Sequence, residues 1–335
     1  MFVKRLHGSV ALCCARRLVT GVGLALIALT GGAAHAAAID TALFPTPVYV
    51  TLQGSDAVQV FPSGRVCKDL PAAHYLDVSP NGRRLIVSSA KSPEAWLVDT
   101  STCEKLATFN FGTAVQGVAF DPTGRHALVV AAGDGTVGII DVAAARLVAR
   151  VVVGTNPHNA VFTPDGRYAY VTLQGGMGVA VLDIEARKTL RTLPVPNTHP
   201  HNLGFSPDGK TLWLRGFLGR VMALDAHSGK LRCEVSAGVS HAGIDVLPDG
   251  RAVTGDMGGH DVVVVDAPSC KVAARIVVGA APHGVRVSRD GRWIYAGVTG
   301  ADTLAVIDAH SLKVVKQISV AGKVPFWLAV AQRPH

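Results

Sequence analysis

The sequence predicts an all-β fold, a seven-bladed β-propeller with four antiparallel strands per blade, its ring closed by the C-terminal strand joining the N-terminal strands. Three observations predict it. One turn motif recurs six times at nearly constant spacing, each turn sits in the same frame of four short β-type runs, and a seventh unit is split between the two ends of the chain.

The turns are Ser79-Pro80-Asn81-Gly82, Asp121-Pro122-Thr123-Gly124, Thr163-Pro164-Asp165-Gly166, Ser206-Pro207-Asp208-Gly209, Leu247-Pro248-Asp249-Gly250 and Ser288-Arg289-Asp290-Gly291, with glycines 42, 42, 43, 41 and 41 residues apart. Gly accepts positive φ, and the Pro present in five of the six presets φ, so each reads as a tight turn. In the unit around Thr163 the four runs are 159–163, 168–172, 178–182 and 189–195, rich in Val, Leu and Tyr and broken by Gly, Pro or Asp. A repeat of this length holding four strands is a propeller blade. No run is long enough or suitably periodic for a helix.

Six units are complete. Near the front, runs 48–52, 57–61 and 66–70 supply a second, third and fourth strand, and run 326–330 supplies the missing first. Tyr49-Val50-Thr51-Leu52-Gln53-Gly54 nearly repeats Tyr170-Val171-Thr172-Leu173-Gln174-Gly175. Pairing the termini removes an exposed sheet edge and makes folding depend on the C-terminus.

Residues 1–36 read as a signal peptide, leaving 37–335 as a single propeller domain. Lys4, Arg5, Arg16 and Arg17 form a basic front, an apolar run follows over 18–29, and Ala34-His35-Ala36 gives the small-x-small cleavage pattern. The run is short for a membrane span, so none is expected after cleavage. The Arg16-Arg17 pair admits twin-arginine export as well as the general route. The chain is therefore expected in the periplasm.

Of the 335 residues 49% are apolar, 36 are glycine and 17% are charged, which describes a well-buried chain with many turns and excludes disorder. Cleavage takes four of the 32 Lys and Arg residues, leaving 28 against 24 Asp and Glu, a net +4. That charge is too weak for a nucleic-acid footprint, and no nucleic acid is expected as a partner.

The segments Pro282-His283-Gly284-Val285, Ser206-Pro207-Asp208-Gly209, Tyr170-Val171-Thr172 and Val306-Ile307-Asp308 resemble the YVTN-family β-propeller repeat. The likeness covers nearly all of the mature chain. That family includes surface-layer proteins, periplasmic proteins linked to redox operons, and distant relatives of the haem-binding propeller of cytochrome cd-type nitrite reductase. The resemblance implies a propeller fold and points to redox or cofactor-maturation systems.

The repeat also aligns positions around the ring. Eight residues before each turn glycine, where an innermost strand begins, stand His74, Gln116, His158, His201, Ala242 and His283, with His241 beside Ala242 and Phe326 at the split blade. His74, His158, His201, His241 and His283 thus line a funnel. His199, Asp256, Met257 and His260 open on the same face. Neutral imidazoles bind copper, zinc or haem iron, and Met257 adds a soft donor suited to copper. The alternative is that these histidines satisfy backbone groups where the chain turns into the channel.

Three places further along, Asp77, Asp245 and Arg286 are expected to face the channel, with Asp245 and Arg286 pairing across adjacent blades. Such a pair is structural more often than catalytic. No Gly-x-Ser-x-Gly elbow, phosphate loop, His-Glu-x-x-His or Cys-x-x-Cys-His is present, and no residue is assigned a catalytic role.

Four cysteines follow the leader. Measured from the basic residue that opens each fourth strand, Cys67 lies at +2 and Cys103 at −2, while Cys233 lies at +3 and Cys270 at −1. The shared relative offset of four predicts disulfides Cys67–Cys103 and Cys233–Cys270 between neighbouring blades, in an oxidising compartment. The reading that follows is a monomeric, non-catalytic periplasmic propeller that binds or scaffolds a protein or small ligand at the funnel face. Two others stand beside it, a haem- or copper-handling protein and a lactone hydrolase, the latter a chemistry found on related propellers.

Overall fold

The computed structural model describes residues 39–195 and 198–331. Seven four-stranded antiparallel sheets succeed one another around a ring. Blade 1 is the split one: its innermost strand, Pro325–Val330, comes from the C-terminus and lies beside Val48–Leu52, which is followed by Ala57–Phe61 and Val66–Cys67. Val48 stands opposite Val330 and Val50 opposite Leu328, so the ring closes as the split repeat requires. The innermost strands of blades 2 to 7 are Ala73–Val78, Val115–Phe120, Pro157–Phe162, Pro200–Phe205, Ile244–Val246 and Pro282–Val287. The leader assigned to residues 1–36 lies outside the described residues. Among those described, no helix is long and apolar enough to cross a membrane.

The burial of each strand follows its place in the blade. Middle strands are covered on both faces by neighbouring blades and read as continuous apolar runs, as in Ala127-Leu128-Val129-Val130-Ala131, all fully buried. Outermost strands are half covered and alternate. In Lys271–Val277, Ile276 packs inward while Lys271, Ala273, Arg275 and Val277 face solvent.

All six turn glycines adopt positive φ, between 68° and 89°, and each donates its N–H to the carbonyl three residues earlier. At four of the five successive pairs the proline of one turn also packs on the glycine of the next, Gly250 being the exception. A Cβ on Gly124 would lie 3.2 Å from Pro80, and one on Gly291 only 2.3 Å from Pro248. The motif therefore welds neighbouring blades as well as turning the chain.

Three strands are shorter than the repeat predicts, one of them Ala252–Thr254, the second strand of blade 6. The run 66–70 reduces to Val66–Cys67, because Asp69 and Ala72 take left-handed φ and Leu70 donates its N–H to Asp56, which steers the chain into blade 2. The innermost strand of blade 6 contracts to Ile244–Val246, since the N–H of Gly243 is donated to His283 of blade 7.

Both predicted disulfides are present, with Cα–Cα distances of 5.1 Å for Cys67–Cys103 and 5.3 Å for Cys233–Cys270. In each, one cysteine lies on an outermost strand and its partner, Cys103 or Cys270, occupies the left-handed position of the next blade's outer turn. Ala145, Arg187 and Leu312 hold the same left-handed turn position where no bridge is made.

Candidate functional site: the histidine mouth

Three of the five predicted histidines follow a proline that opens an innermost strand, a position where no N–H is needed for pairing: Pro157-His158, Pro200-His201 and Pro282-His283. Pairing then skips. Pro157 faces Leu173 and the next partners are Ala160 and Val171; in blade 7 Pro282 faces Val298 and the next are Val285 and Ala296. Such irregularities re-aim side chains, and here they release the histidines toward the axis.

The structure brings all five together. Ring centroids lie 3.9 Å apart for His158 and His201, 4.4 Å for His201 and His241, and 5.4 Å for His241 and His283. Phe326 completes the tier, stacked on His283 at 3.8 Å and on His74 at 4.4 Å. Tyr75 meets His74 and His158 edge-on and so bridges blade 3, where Gln116 replaces histidine. His241 takes the place in blade 6 that Ala242 cannot fill.

The backbone-satisfying role holds for one nitrogen of two rings. Nδ1–H of His158 donates to the carbonyl of His201, and Nδ1–H of His283 to that of Phe326, both at 3.1 Å and both onto the next blade. His74 and His201 are held differently. Gln53 donates to Nδ1 of His74 at 3.0 Å and Gln174 to Nδ1 of His201 at 3.3 Å, while Thr51 and Thr172 donate to the carbonyls of the same two histidines. The Thr and Gln of the duplicated Tyr-Val-Thr-Leu-Gln-Gly segment are thus explained: each orients the histidine of the following blade. Sequence reasoning noticed the duplication and missed this role.

Burial keeps the tier neutral. It lowers His74 to about 4, opposed by Gln116, and His158 to about 3, helped by the nearby His74. His201 and His283 fall well below the ordinary imidazole value through burial and the neighbouring histidines, and His241 falls through burial and the charge of Arg215. Nε2 of His201 and Nε2 of His283 are fully enclosed without a hydrogen-bond partner.

His241 rides on a loop fixed by Arg215, which the sequence did not single out, and by Asp256, which it placed on this face. Fully buried Arg215 donates to the carbonyls of Gly219 and Ser240, and Asp256, 3.6 Å from Arg215, accepts the N–H groups of Val239 and Ser240. Asp256 is therefore structural. Met257 packs against the apolar cluster containing Phe326 and Trp327, and His199 and His260 are exposed on the rim.

Beneath the histidines, Tyr75 and Trp327 meet edge-on at 4.5 Å, and Gly243 makes room, since a Cβ there would lie 3.1 Å from the Trp327 ring. Below them a cavity of about 290 Å³ is lined by Asp77, Asp245 and Arg286 among others. The predicted Asp245–Arg286 pair is not formed. Arg286 lies over the Trp327 ring at 4.6 Å, and both aspartates are occupied by the next blade's backbone, Asp77 accepting from Phe120 and Asp245 from Val287, each at 2.8 Å. Burial still raises the Asp245 carboxyl above its usual range, and the charge of Arg286 and the N–H groups of Val287 and Val246 oppose the rise.

The rim of the histidine mouth carries exposed apolar side chains beside the polar ones. Leu218 is 69% exposed, Val239 70%, Met177 45% and Phe217 41%, and Phe217 stacks on His241 at 4.6 Å. The other large apolar side chains described as exposed, such as Leu106 and Val315, lie on outermost strands, and none lies in the turns of the opposite mouth.

Residues 85–201 match the family model for the cytochrome D1 haem domain, a stretch that includes His158 and His201. No curated protein matches the chain. Among solved structures the chain is similar to hydrazine synthase of Kuenenia stuttgartiensis, at 20% identity and TM-score 0.71, over 82% of this chain and 93% of that one. It is also similar to a functionally unknown protein from Desulfotomaculum acetoxidans, at 14% identity and TM-score 0.72, over 86% of this chain and 99% of that one. At these identities the likeness to solved structures is one of fold, and the likeness to the haem domain extends over residues 85–201.

Proposed function

We propose that this chain is a non-catalytic binding propeller of the periplasm, which receives a partner protein or apolar ligand on its histidine mouth. The observation that carries the reading is the asymmetry of the two ends: Phe217, Leu218, Val239 and Met177 are exposed around one mouth, and the turns of the other are polar. Exposed apolar side chains gathered at one place mark interaction surfaces. The two disulfides fit an oxidising compartment.

The family likeness implies haem, and the histidine tier does not fit a macrocycle. Its rings pack at 3.8 to 5.4 Å with no slot between them, and the unpartnered Nε2 atoms of His201 and His283 are sealed from the surface. An axial bond needs a ring nitrogen open to the macrocycle.

The test is site-specific photo-crosslinking in the native periplasm. A photoreactive residue replacing Leu218 is expected to give discrete adducts, while one replacing Asp208, exposed in a turn of the opposite mouth, gives none. Equal adduct patterns from the two positions, or none from either, overturn the reading.

A further inference from the structure

The packing that excludes a macrocycle leaves room for something smaller. Donor nitrogens of His201, His241 and His283 all lie within 4.8 Å of one another. Imidazole nitrogens around a tetrahedral ion bonded at ~2.0 Å stand ~3.3 Å apart, so small ring rotations close the set. We propose that His201, His241 and His283 form a three-imidazole site for a divalent first-row ion of the zinc and copper class. The proposal deepens, and rests on, the reading of this mouth as the binding end.

Three features of the cluster support it. Nε2 of His201 and Nε2 of His283, on two of the three clustered rings, are enclosed polar atoms with no protein partner. Folded proteins rarely leave such atoms orphaned. The donors are neutral imidazoles with no carboxylate among them, a set that suits zinc or copper and not calcium or magnesium, which take oxygen. Each ring also has an orienting contact behind it, as metal-ligating histidines do.

Those contacts decide which nitrogen is free. Nδ1–H of His283 donates to the Phe326 carbonyl, which leaves Nε2 as a bare lone pair. His241 has Ser240 Oγ 3.3 Å from Nδ1, on the loop pinned by Asp256 and Arg215. His201 is the variable one. With the Gln174 NH2 facing Nδ1, the proton of neutral His201 is on Nε2; with the amide turned over, Gln174 Oε1 accepts from Nδ1–H and Nε2 becomes a donor to metal. The turn-over changes no shape and gives up only the bond from Asn156 Nδ2 to Gln174 Oε1 at 3.4 Å, so Gln174 is a positioning residue for loading.

The experiment uses the mature protein stripped with a chelator and titrated with zinc chloride in competition with a chromophoric zinc indicator. One zinc per chain is expected. His241→Ala, at a half-buried position, lowers the affinity at least ~100-fold, as do His201→Ala and His283→Ala. Melting of each metal-free variant shows that it has folded. His199→Ala with His260→Ala, both exposed at the same mouth, leaves binding unchanged, and X-ray absorption shows three nitrogen donors at ~2.0 Å.

Unchanged zinc affinity in His241→Ala, equal loss in the His199/His260 double variant, or an all-oxygen shell overturns the site. If zinc binding fails while Leu218 adducts persist, the ion site falls and the binding-face reading stands. If adducts fail while the histidine-dependent zinc remains, the reverse holds.

Discussion

Asp77 accepts the backbone N–H of Phe120 at 2.8 Å across a blade boundary, and burial in the channel pushes its carboxyl up to about 6 from an ordinary 3.8. The N–H groups of Phe120 and Val78 and the charge of Arg286 oppose the rise without cancelling it. A carboxyl raised on folding binds more protons folded than unfolded between those two values, so its contribution is fully present below pH ~4 and is lost as pH rises through ~6. Asp77→Asn keeps an oxygen for Phe120 and removes the titration. The variant is expected to gain stability relative to the parent as pH goes from 4 to 7, by at most about 3 kcal/mol. Urea unfolding at several pH values checks it, and a constant difference between the two proteins defeats it.

Thr172 makes the corresponding link at the histidine mouth. Its hydroxyl donates to the carbonyl of His201 at 3.0 Å and accepts the N–H of Asn159 at 2.9 Å, all of it buried. Thr172→Val preserves the shape and strands both backbone groups, at a cost of about 1–3 kcal/mol. Thr192→Val, on an exposed position of an outermost strand, serves as the control and is expected to change stability by less than about 0.5 kcal/mol. Chemical denaturation compares the two, and equal effects remove the role given to Thr172.

Most of the fold was legible because a propeller repeats its local rules. Glycine spacing located every innermost turn, and one offset between Cys67 and Cys103, reproduced by Cys233 and Cys270, located both bridges. The gathering of five histidines was legible from the same register. What sequence could not supply was direction within a layer. Asp245 and Arg286 sit in adjacent blades, yet the backbone of Val287 lies nearer to Asp245 and the Trp327 ring takes Arg286. Gln174 was visible in a duplicated segment, but its bond to His201 crosses from one blade to the next. Several contacts between blades recur in register, but which atoms of neighbouring blades meet depends on side-chain direction, so the orienting residues were missed where the histidines were not.

Ring closure gives a third prediction. Pro325–Val330 is buried along its whole length, and Trp327 donates its N–H to Thr51 of the N-terminal strand at 2.8 Å. Removing residues 326–335 deletes Phe326, Trp327, Leu328 and Val330, whose burial is worth about 1.5–3 kcal/mol each. It also exposes one edge of Val48–Leu52. That sum is comparable to the whole stability of a typical domain, about 5–15 kcal/mol, so the truncated chain is expected to aggregate or to elute as an expanded species. A truncated monomer with an unchanged cooperative melt excludes this closure.

The two disulfides should differ in what they protect, although they close loops of nearly equal length, with sequence separations of 36 and 37. Loop entropy alone predicts about the same stabilisation from each, roughly 4 kcal/mol. Their surroundings are unequal. Cys233 belongs to Leu231–Ser236, which pairs with its neighbour at five positions, whereas Cys67 belongs to Val66–Cys67, which pairs at two. The bridge to Cys103 is therefore the main tether of the outermost strand of blade 1, while the bridge to Cys270 reinforces a strand already held. Replacing Cys67 and Cys103 with Ser is expected to raise amide exchange sharply across residues 62–70 under native conditions, and replacing Cys233 and Cys270 to leave residues 231–236 largely protected. Hydrogen exchange read by mass spectrometry on both double variants decides it. Equal deprotection of the two strands would mean that backbone pairing contributes nothing beyond the covalent link.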